Sequence, residues 1–419
     1  RLMESFSVYI PTDRRVALSR GQSLPDRTEG AVLFADVSGF TPLTEMLVQK
    51  FGPQRGAEEL VFHLNNVYDA IIGKVHLYMG SVVSFSGDAI TCWFDGDNGW
   101  RALTCALAMQ QAMAQFKTVQ TAAGTVTSFS IKASVTAGSS RRFLVGNPRV
   151  RSIEALAGKL LDRAGNGEKI AGQGEVVAGS EVIKNLQAEE NVVEWRTTKD
   201  GEQYAVVSAL KETAPELPWE NIPDIPSEQS RDWLLPAIYD RLVQGGEDFL
   251  AELRPVVALF VKFTGINYDE DNANEYLDAY IRWVQSVVAH FEGDLLELVI
   301  GDKGSNLYVT FGALQAHEDD AVRAAGAALG LLNIPAELNY ISPPQIGLSL
   351  GLMRTGSYGS RTRRSYAAQG PQVNLANRLM SKAEAGQILA TQVVVDAASK
   401  KYQFRFLDNV SLKGVSQPV

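Results

Sequence analysis

Two aspartates carry the chemistry that can be read first. In Leu33-Phe34-Ala35-Asp36-Val37-Ser38-Gly39-Phe40-Thr41-Pro42-Leu43-Thr44 an apolar strand ends in a carboxylate, turns through Ser-Gly and enters a helix. Gly39 permits the tight turn, which presents the N–H groups of Phe40 and Thr41 at a helix N-terminus, where an anion is favoured. A second carboxylate lies in Ser84-Phe85-Ser86-Gly87-Asp88-Ala89-Ile90, where two β-rich runs, 81–85 and 89–94, meet at a Gly-Asp tip. Between the two, Leu60, Leu64, Val67, Ile71 and Val75 recur at helical spacing. Strand, long helix and hairpin in that order return Asp88 beside Asp36. Two adjacent carboxylates with a phosphate-binding turn suit a pair of divalent cations holding a nucleoside triphosphate.

The chain that must position these groups has 419 residues, too many for one ordinary domain and comfortable for two. Its 45% hydrophobic and 21% charged content is that of a globular protein. No apolar run reaches the length of a membrane span, and no signal peptide is visible. Cys92 and Cys105 read as buried free thiols in a reducing, cytoplasmic compartment. A net charge of −9, without a basic stripe interleaved by aromatics, argues against nucleic acid as a partner. A triphosphate must therefore be met locally, by metal and a few cations. His63, His76, His290 and His317 lack metal-ligand spacing and read as surface or interface residues.

In chain order, residues 1–29 read as a lead-in segment packing on the first domain, with its arginines on a solvated surface. The first domain spans 30–210. After the hairpin it shows a helix over 98–116, a strand over 128–137, a helix from about 152 to 163, and short strands near Val176 and Tyr204. Pro215, Pro218, Pro223 and Pro226 mark a semi-rigid linker over 211–253. The second domain, 254–419, repeats the first: Val257 to Gly265 mirrors the opening strand, and Leu277, Ile281, Val284 and Val288 mirror the long helix. Mixed order with hairpins predicts α+β architecture, and the repeat predicts a pseudo-twofold pair with sites in the shared cleft. Lys262 stands where the first domain has Asp36, and Lys303-Gly304 where it has Asp88, so the second domain cannot hold the metals.

The two aspartate motifs, together with Tyr366-Ala367-Ala368-Gln369-Gly370-Pro371-Gln372-Val373-Asn374-Leu375-Ala376-Asn377-Arg378, resemble the motifs of class III nucleotidyl cyclases. The tandem arrangement resembles, more narrowly, the soluble, bicarbonate-responsive adenylyl cyclases. The resemblance implies two ferredoxin-like domains forming an intramolecular pseudodimer, with one active site made within one chain that converts ATP to 3′,5′-cyclic AMP and pyrophosphate. It implies two Mg²⁺ or Mn²⁺ ions on Asp36, Asp88 and the backbone of Val37. It gives Asn374 the ribose and Arg378 the α-phosphate charge of the transition state; both fit physically, being four apart on one helix face. Lys132 is implied at the terminal phosphates and Lys303 at the purine ring. Ala367 occupies the place of the Asp or Thr that usually reads the base, leaving backbone groups near Ala368 for that task. This departure keeps a guanylyl or relaxed-specificity cyclase as an alternative, and a catalytically silent nucleotide sensor as a third reading. By the same resemblance Ala155 and Lys159 are the first-domain counterparts of Asn374 and Arg378, so the mirror site is degenerate. Ser84 and Ala155 then stand where the relatives hold bicarbonate with cations, and the anion is not expected to act there. Arg361, Arg363 and Arg364 read as solvating a loop, and the stretch 404–419 is expected to lead into a last strand and further C-terminal domains.

Overall fold

A computed structural model describes residues 5–122, 124–244, 252–301 and 304–407, and only the backbone of residues 41, 45, 53 and 54. The first half runs α1 (Thr12–Ser19), β1 (Arg27–Ser38), α2 (Phe40–Phe51), α3 (Pro53–Leu77), β2 (Ser81–Ser86), β3 (Ala89–Asp95) and α4 (Trp100–Met113). It continues through a small ribbon, β4 (Val119–Gln120) and β5 (Val126–Thr127), to β6 (Ser130–Val145), β7 (Ile153–Ala157), α5 (Lys159–Ile170), β8 (Val176–Gly179), α6 (Ser180–Leu186), β9 (Val192–Thr197) and β10 (Gln203–Val207). Two short helices, α7 (Ser227–Ser230) and α8 (Pro236–Val243), precede the second half. That half has β11 (Glu252–Phe263), α9 (Ala273–His290), β12 (Asp294–Val299), β13 (Ser305–Phe311), α10 (Asp320–Leu332), β14 (Gln345–Gly359), β15 (Arg364–Gln369), α11 (Pro371–Lys382), β16 (Ile388–Ala390) and α12 (Gln392–Ala398).

Each half folds around the same sheet. In the first the order is β2-β3-β1-β6-β8-β10-β9, and in the second β12-β13-β11-β14-β15. The shared part, with the opening strand between the hairpin's second strand and a long strand, is the antiparallel arrangement of a ferredoxin-like unit. The long helices supply the covering layer because their apolar residues fall on one stripe. Leu60, Leu64, Val67, Ile71 and Val75 of α3, like Leu277, Ile281, Val284 and Val288 of α9, are all buried. Burial of each such side chain stabilises by about 1.5–3 kcal/mol. The helix following β1 is broken in two: Gly52, at φ +82°, ends α2, and Pro53 opens α3.

The halves exchange hairpins. Phe143, Val145, Ile153, Ala155 and Ala157 of the β6–β7 hairpin pack in the hydrophobic core of the second half. Reciprocally, Tyr358 and Ala367 of the β14–β15 hairpin lie in the core of the first. A third apolar cluster joins Ile10 to Trp233, Leu235, Phe260 and Met353, so the N-terminal segment and the region before β11 cover the open face of the second sheet.

Several expectations change here. Residues 153–157 form a strand, not the start of a helix, because β7 pairs with β6 from Val145↔Ile153 to Arg141↔Ala157. The helix begins only at Lys159, after Gly158 at φ +115°. The N-terminal segment touches both halves rather than the first alone, and its Arg14 and Arg15 are buried, while Arg20 and Arg27 are exposed as expected. Arg14 meets Glu154 at 2.8 Å, and Arg15 donates to the carbonyls of Pro223 and Thr362. Arg363 is likewise buried, donating to carbonyls of Val82, Val83 and Tyr9, while its neighbour Arg361 is exposed. His63 is buried too, with no hydrogen-bond partner for Nε2 among the described residues. Residues 404–407 carry no regular structure, and 408–419 lie outside the described residues.

Candidate functional site

At the C-terminal end of β1, Asp36 pairs across the sheet with Ala89 on β3 and Lys132 on β6. The hairpin tip brings Asp88 alongside, since Val37 N–H donates to the Asp88 carbonyl at 3.1 Å. In a strand the N–H and C=O of one residue point the same way, so the Val37 carbonyl also faces the hairpin. Gly39, at φ +115°, caps α2; a Cβ there would sit 2.4 Å from the Ser128 carbonyl, so the turn requires glycine.

Both carboxylates hold their protons above the ordinary range. For Asp36 the cause is burial, then repulsion from Glu168, opposed by Lys132. Asp88 is pushed up to about 6 by burial and by Asp36, against the attraction of Arg354. Two half-buried carboxylates that repel one another and share an edge with a backbone carbonyl form an oxygen donor set short of positive charge. That fits Mg²⁺ or Mn²⁺, which bind through one or two carboxylates and complete their shell with water and phosphate oxygens. No cluster of three or more His, Cys, Asp or Glu side chains suited to a metal exists among the described residues.

The carboxylates open onto a cleft of about 360 Å³ between the halves, lined on the first side by Asp36, Phe40, Ser86 and Asp88. The second side contributes Phe260, Glu297, Tyr308, Arg354, Ala368 and Asn374. The cleft thus unites Asp36, Asp88, Phe40, Ala368 and Asn374, all picked out in the sequence. Ala367 lies behind it, buried in the core, and offers the cleft no side chain. Arg378, half-buried one turn beyond Asn374 on α11, is not among the lining residues; Asn377 is. Lys132 is turned aside, its Nζ paired with Glu168 and 3.9 Å from Asp36 Oδ2. Lys303 and the side chain of Thr41 lie outside the described residues.

Three lining residues escaped the sequence reading. Arg354 is fully buried on β14; Nη2 donates to Gln369 Oε1, its fork lies 5.5 Å from the Tyr358 ring, and Nε and Nη1 have no hydrogen-bond partner among the described residues. Glu297 is held up at about 7 by burial, against hydrogen bonds from Gly87 N–H and Ser86. Tyr308 donates to the Ala368 carbonyl at 2.8 Å. Their signal was a charged or hydroxylated residue within an otherwise apolar strand.

The mirror cleft, of about 720 Å³, is lined by Ser84, Ala155, Lys159, Asp162, Asn166 and Lys169 among others. Gly158 precedes α5 as Gly370 precedes α11, so the counterparts of Asn374 and Arg378 are Asp162 and Asn166. Ala155 and Lys159 instead match Ala367 and Pro371, correcting the expected equivalence. Nor is this cleft without charge: Lys159, Arg163 and Lys169 face Asp162, Asp200 and Glu202.

A two-domain α+β pair with paired carboxylates on one half and the Asn-x-x-x-Arg helix on the other resembles the arrangement that the sequence motifs imply for class III cyclases. The family described as "Adenylate and Guanylate cyclase catalytic domain" matches residues 282–419. The chain is 25% identical to adenylate cyclase type 10 of Homo sapiens and 23% to that of Rattus norvegicus, over 93% of its length and 26% of theirs. It therefore spans about a quarter of these relatives. A class III adenylyl cyclase-like ATP-binding protein from Pseudomonas aeruginosa shares the fold, with TM-score 0.57 at 13% identity, over 89% of this chain and 85% of that one. The resemblance to class III nucleotidyl cyclases carried by the motifs is thus found independently in sequence and in fold. No helix among the described residues is long and apolar enough to cross a membrane.

Proposed function

We propose that the chain is the catalytic core of an adenylyl cyclase, converting ATP to 3′,5′-cyclic AMP and pyrophosphate at one site between its two halves, in a cytoplasmic setting. The observation that carries this reading is the convergence on one cleft of Asp36 and Asp88 from the first half and Asn374 from the second. Asp36, Asp88 and the Val37 carbonyl would hold the two Mg²⁺ or Mn²⁺ ions, which when bound supply acidity to the 3′-hydroxyl and charge neutralisation to the leaving pyrophosphate.

The chain's own residues do the rest. Asn374 orients the ribose so that its 3′-oxygen lies in line with the α-phosphorus, a contribution of positioning. Arg378, on the same face of α11 but outside the cleft lining, must reach in to present a planar fork to the charge that develops as the new P–O bond forms and the bond to pyrophosphate breaks. The N–H groups of Phe40 and Thr41 at the α2 N-terminus donate to phosphate oxygens. Since Lys132 is paired with Glu168, a phosphate must draw it away to be contacted. The base lies against Ala368, with Lys303 as its side-chain reader.

A relaxed-specificity or guanylyl cyclase is the second reading, favoured by one observation: Ala367 is buried and without a hydrogen-bonding group. Discrimination between purines comes from polar groups that the wrong base leaves unpaired. Incubating the purified chain with ATP or GTP and Mn²⁺, and identifying products by chromatography, separates the readings. Cyclic AMP alone supports the first, and both cyclic nucleotides or cyclic GMP alone support the second. Tight nucleotide binding without either product supports a silent sensor.

A further inference from the structure

The hairpin tip that carries Asp88 belongs to the first half of the chain, yet much of what holds it comes from the second. The Gly87 carbonyl accepts two hydrogen bonds across the interface, from Tyr358 Oη at 3.0 Å and Gln369 Nε2 at 2.9 Å. Arg354 donates to Gln369 Oε1, which fixes the amide with its N–H₂ toward Gly87. The following carbonyl, that of Asp88, accepts from groups of its own half, Val37 N–H at 3.1 Å and Tyr68 Oη at 3.1 Å.

These two carbonyls belong to the peptide planes on either side of the Asp88 Cα. Holding both planes fixes φ and ψ at Asp88, and with them the direction in which its carboxylate leaves the backbone. Gly87, at φ +58°, has no side chain to limit the first plane, so the cross-interface bonds must do so. The mirror hairpin lacks the device. Ala157 and Val145 stand at the positions of Gln369 and Tyr358, by the register Arg141↔Ala157 against Arg354↔Gln369.

We propose that Gln369 and Tyr358 are positioning residues for the metal-binding carboxylate: Asp88 is aimed correctly only when the second half is docked on the hairpin tip. The proposal rests on the reading of Asp36 and Asp88 as metal ligands. It makes metal affinity a property of the interface, so that whatever separates the halves also loosens the metal site.

The test is Mn²⁺ binding to the full chain without nucleotide, followed by the electron paramagnetic resonance of free Mn²⁺, with thermal unfolding as a control on folding. Gln369→Leu and Tyr358→Phe should each weaken Mn²⁺ binding by about tenfold or more, the usual cost of losing a group that orients a ligand. The Mn²⁺ needed for half-maximal turnover should rise in step, with the KM for the triphosphate little changed. Gln369→Glu keeps an acceptor for Arg354 but cannot donate to Gly87, and should behave like the leucine variant. Folded variants that bind Mn²⁺ as tightly as the parent overturn the proposal. A parent whose Mn²⁺ binding is unaffected by Asp88→Asn also overturns it, together with the metal reading. A parent that binds Mn²⁺ through Asp88 but makes no cyclic nucleotide sinks the proposed function alone. Tyr358→Phe, which removes one hydroxyl from an intact ring, carries the test if the Gln369 variants do not fold.

Discussion

Arg141 and Arg354 occupy the same place in the two halves, each paired with the last residue of the strand that precedes a glycine-capped helix. Every nitrogen of Arg141 is satisfied. Nε and Nη2 bind Asp26, and Nη1 donates to the carbonyls of Tyr268 and Glu270 at 2.7 and 2.9 Å. Among the described residues Arg354 has one hydrogen bond and two nitrogens without partners. A buried guanidinium left short of acceptors is costly. The mirror side spent its polar groups on joining the halves, while the catalytic side kept carboxylates that repel and a cation that is underpaired. The lesson is that the two clefts differ in electrostatic saturation as well as in volume, and that the unsaturated one is where a charged ligand gains most.

The sharpest way to break this contrast is to remove the carboxylates. Asp36→Asn or Asp88→Asn should abolish cyclase turnover while the circular dichroism and unfolding midpoint are retained, since each relieves a repulsion as it removes a ligand. A variant with near-parental activity and unchanged metal dependence would contradict the assignment. Next in size, Arg378→Ala should lower kcat by roughly 10²–10³-fold, the loss of one preorganised donor. Asn166→Ala, its counterpart in the mirror cleft, should leave kcat near that of the parent; equal losses would mean that both clefts turn over.

The saturated side should be the more fragile in stability. Glu154 is buried between Arg14 and Arg142, bonding both. Glu154→Gln leaves two guanidinium groups underpaired in the interior, at about 3–5 kcal/mol, read as a lower denaturation midpoint in urea. The catalytic side should instead show a pH signature. Asp88 and Glu297 are held at about 6 and about 7 in the folded chain, above their ordinary values. The folded state therefore binds more protons than the unfolded one between about pH 4 and 7. The stability from these groups is fully present below that window and lost as pH rises through it. The metal-free midpoint should fall from pH 5 to 8, less steeply in Asp88→Asn and in Glu297→Gln, and Mn²⁺ at pH 8 should restore it.

How much of this was written in the sequence depends on the range of the interaction. The strand-turn-helix at Asp36, the hairpin at Asp88 and the stripes of α3 and α9 are local patterns of period and turn, and they were legible. The β6–β7 hairpin was not. Glu154 to Ala157 has no polar alternation because both faces of β7 are covered, one by the core of the other half, and a short fully buried strand has the same composition as a helix. That misreading displaced the mirror equivalence by seven residues, from Asp162 to Ala155. Buried arginines were missed for a related reason. Arg14 and Arg363 find partners 140 and 281 residues away, and Arg354 meets Gln369 across a strand pair 15 residues on, which no local pattern records.

The smallest expected effect concerns anions in the mirror cleft. The sequence resemblance implies bicarbonate-responsive relatives, and the sequence alone suggested a pocket here without charge. Among the described residues the lining replaces that premise with a balanced one: three cationic side chains, Lys159, Arg163 and Lys169, against three carboxylates, Asp162, Asp200 and Glu202. The cations are also partly engaged, since Arg163 is paired with Glu181 and Lys169 lies 3.5 Å from Asn166 Oδ1. A small anion entering this cleft would exchange its hydration for a field that nearly cancels, and transfer of charge from water without a committed partner is unfavourable. Replacing chloride by bicarbonate at fixed pH and ionic strength should therefore produce no saturable activation. Lys159→Ala tips the balance further toward the carboxylates and should leave that result unchanged. A saturable activation that disappears in Lys159→Ala would show that one lysine outweighs the surrounding carboxylates, and that the mirror cleft, though saturated, is still read by an anion.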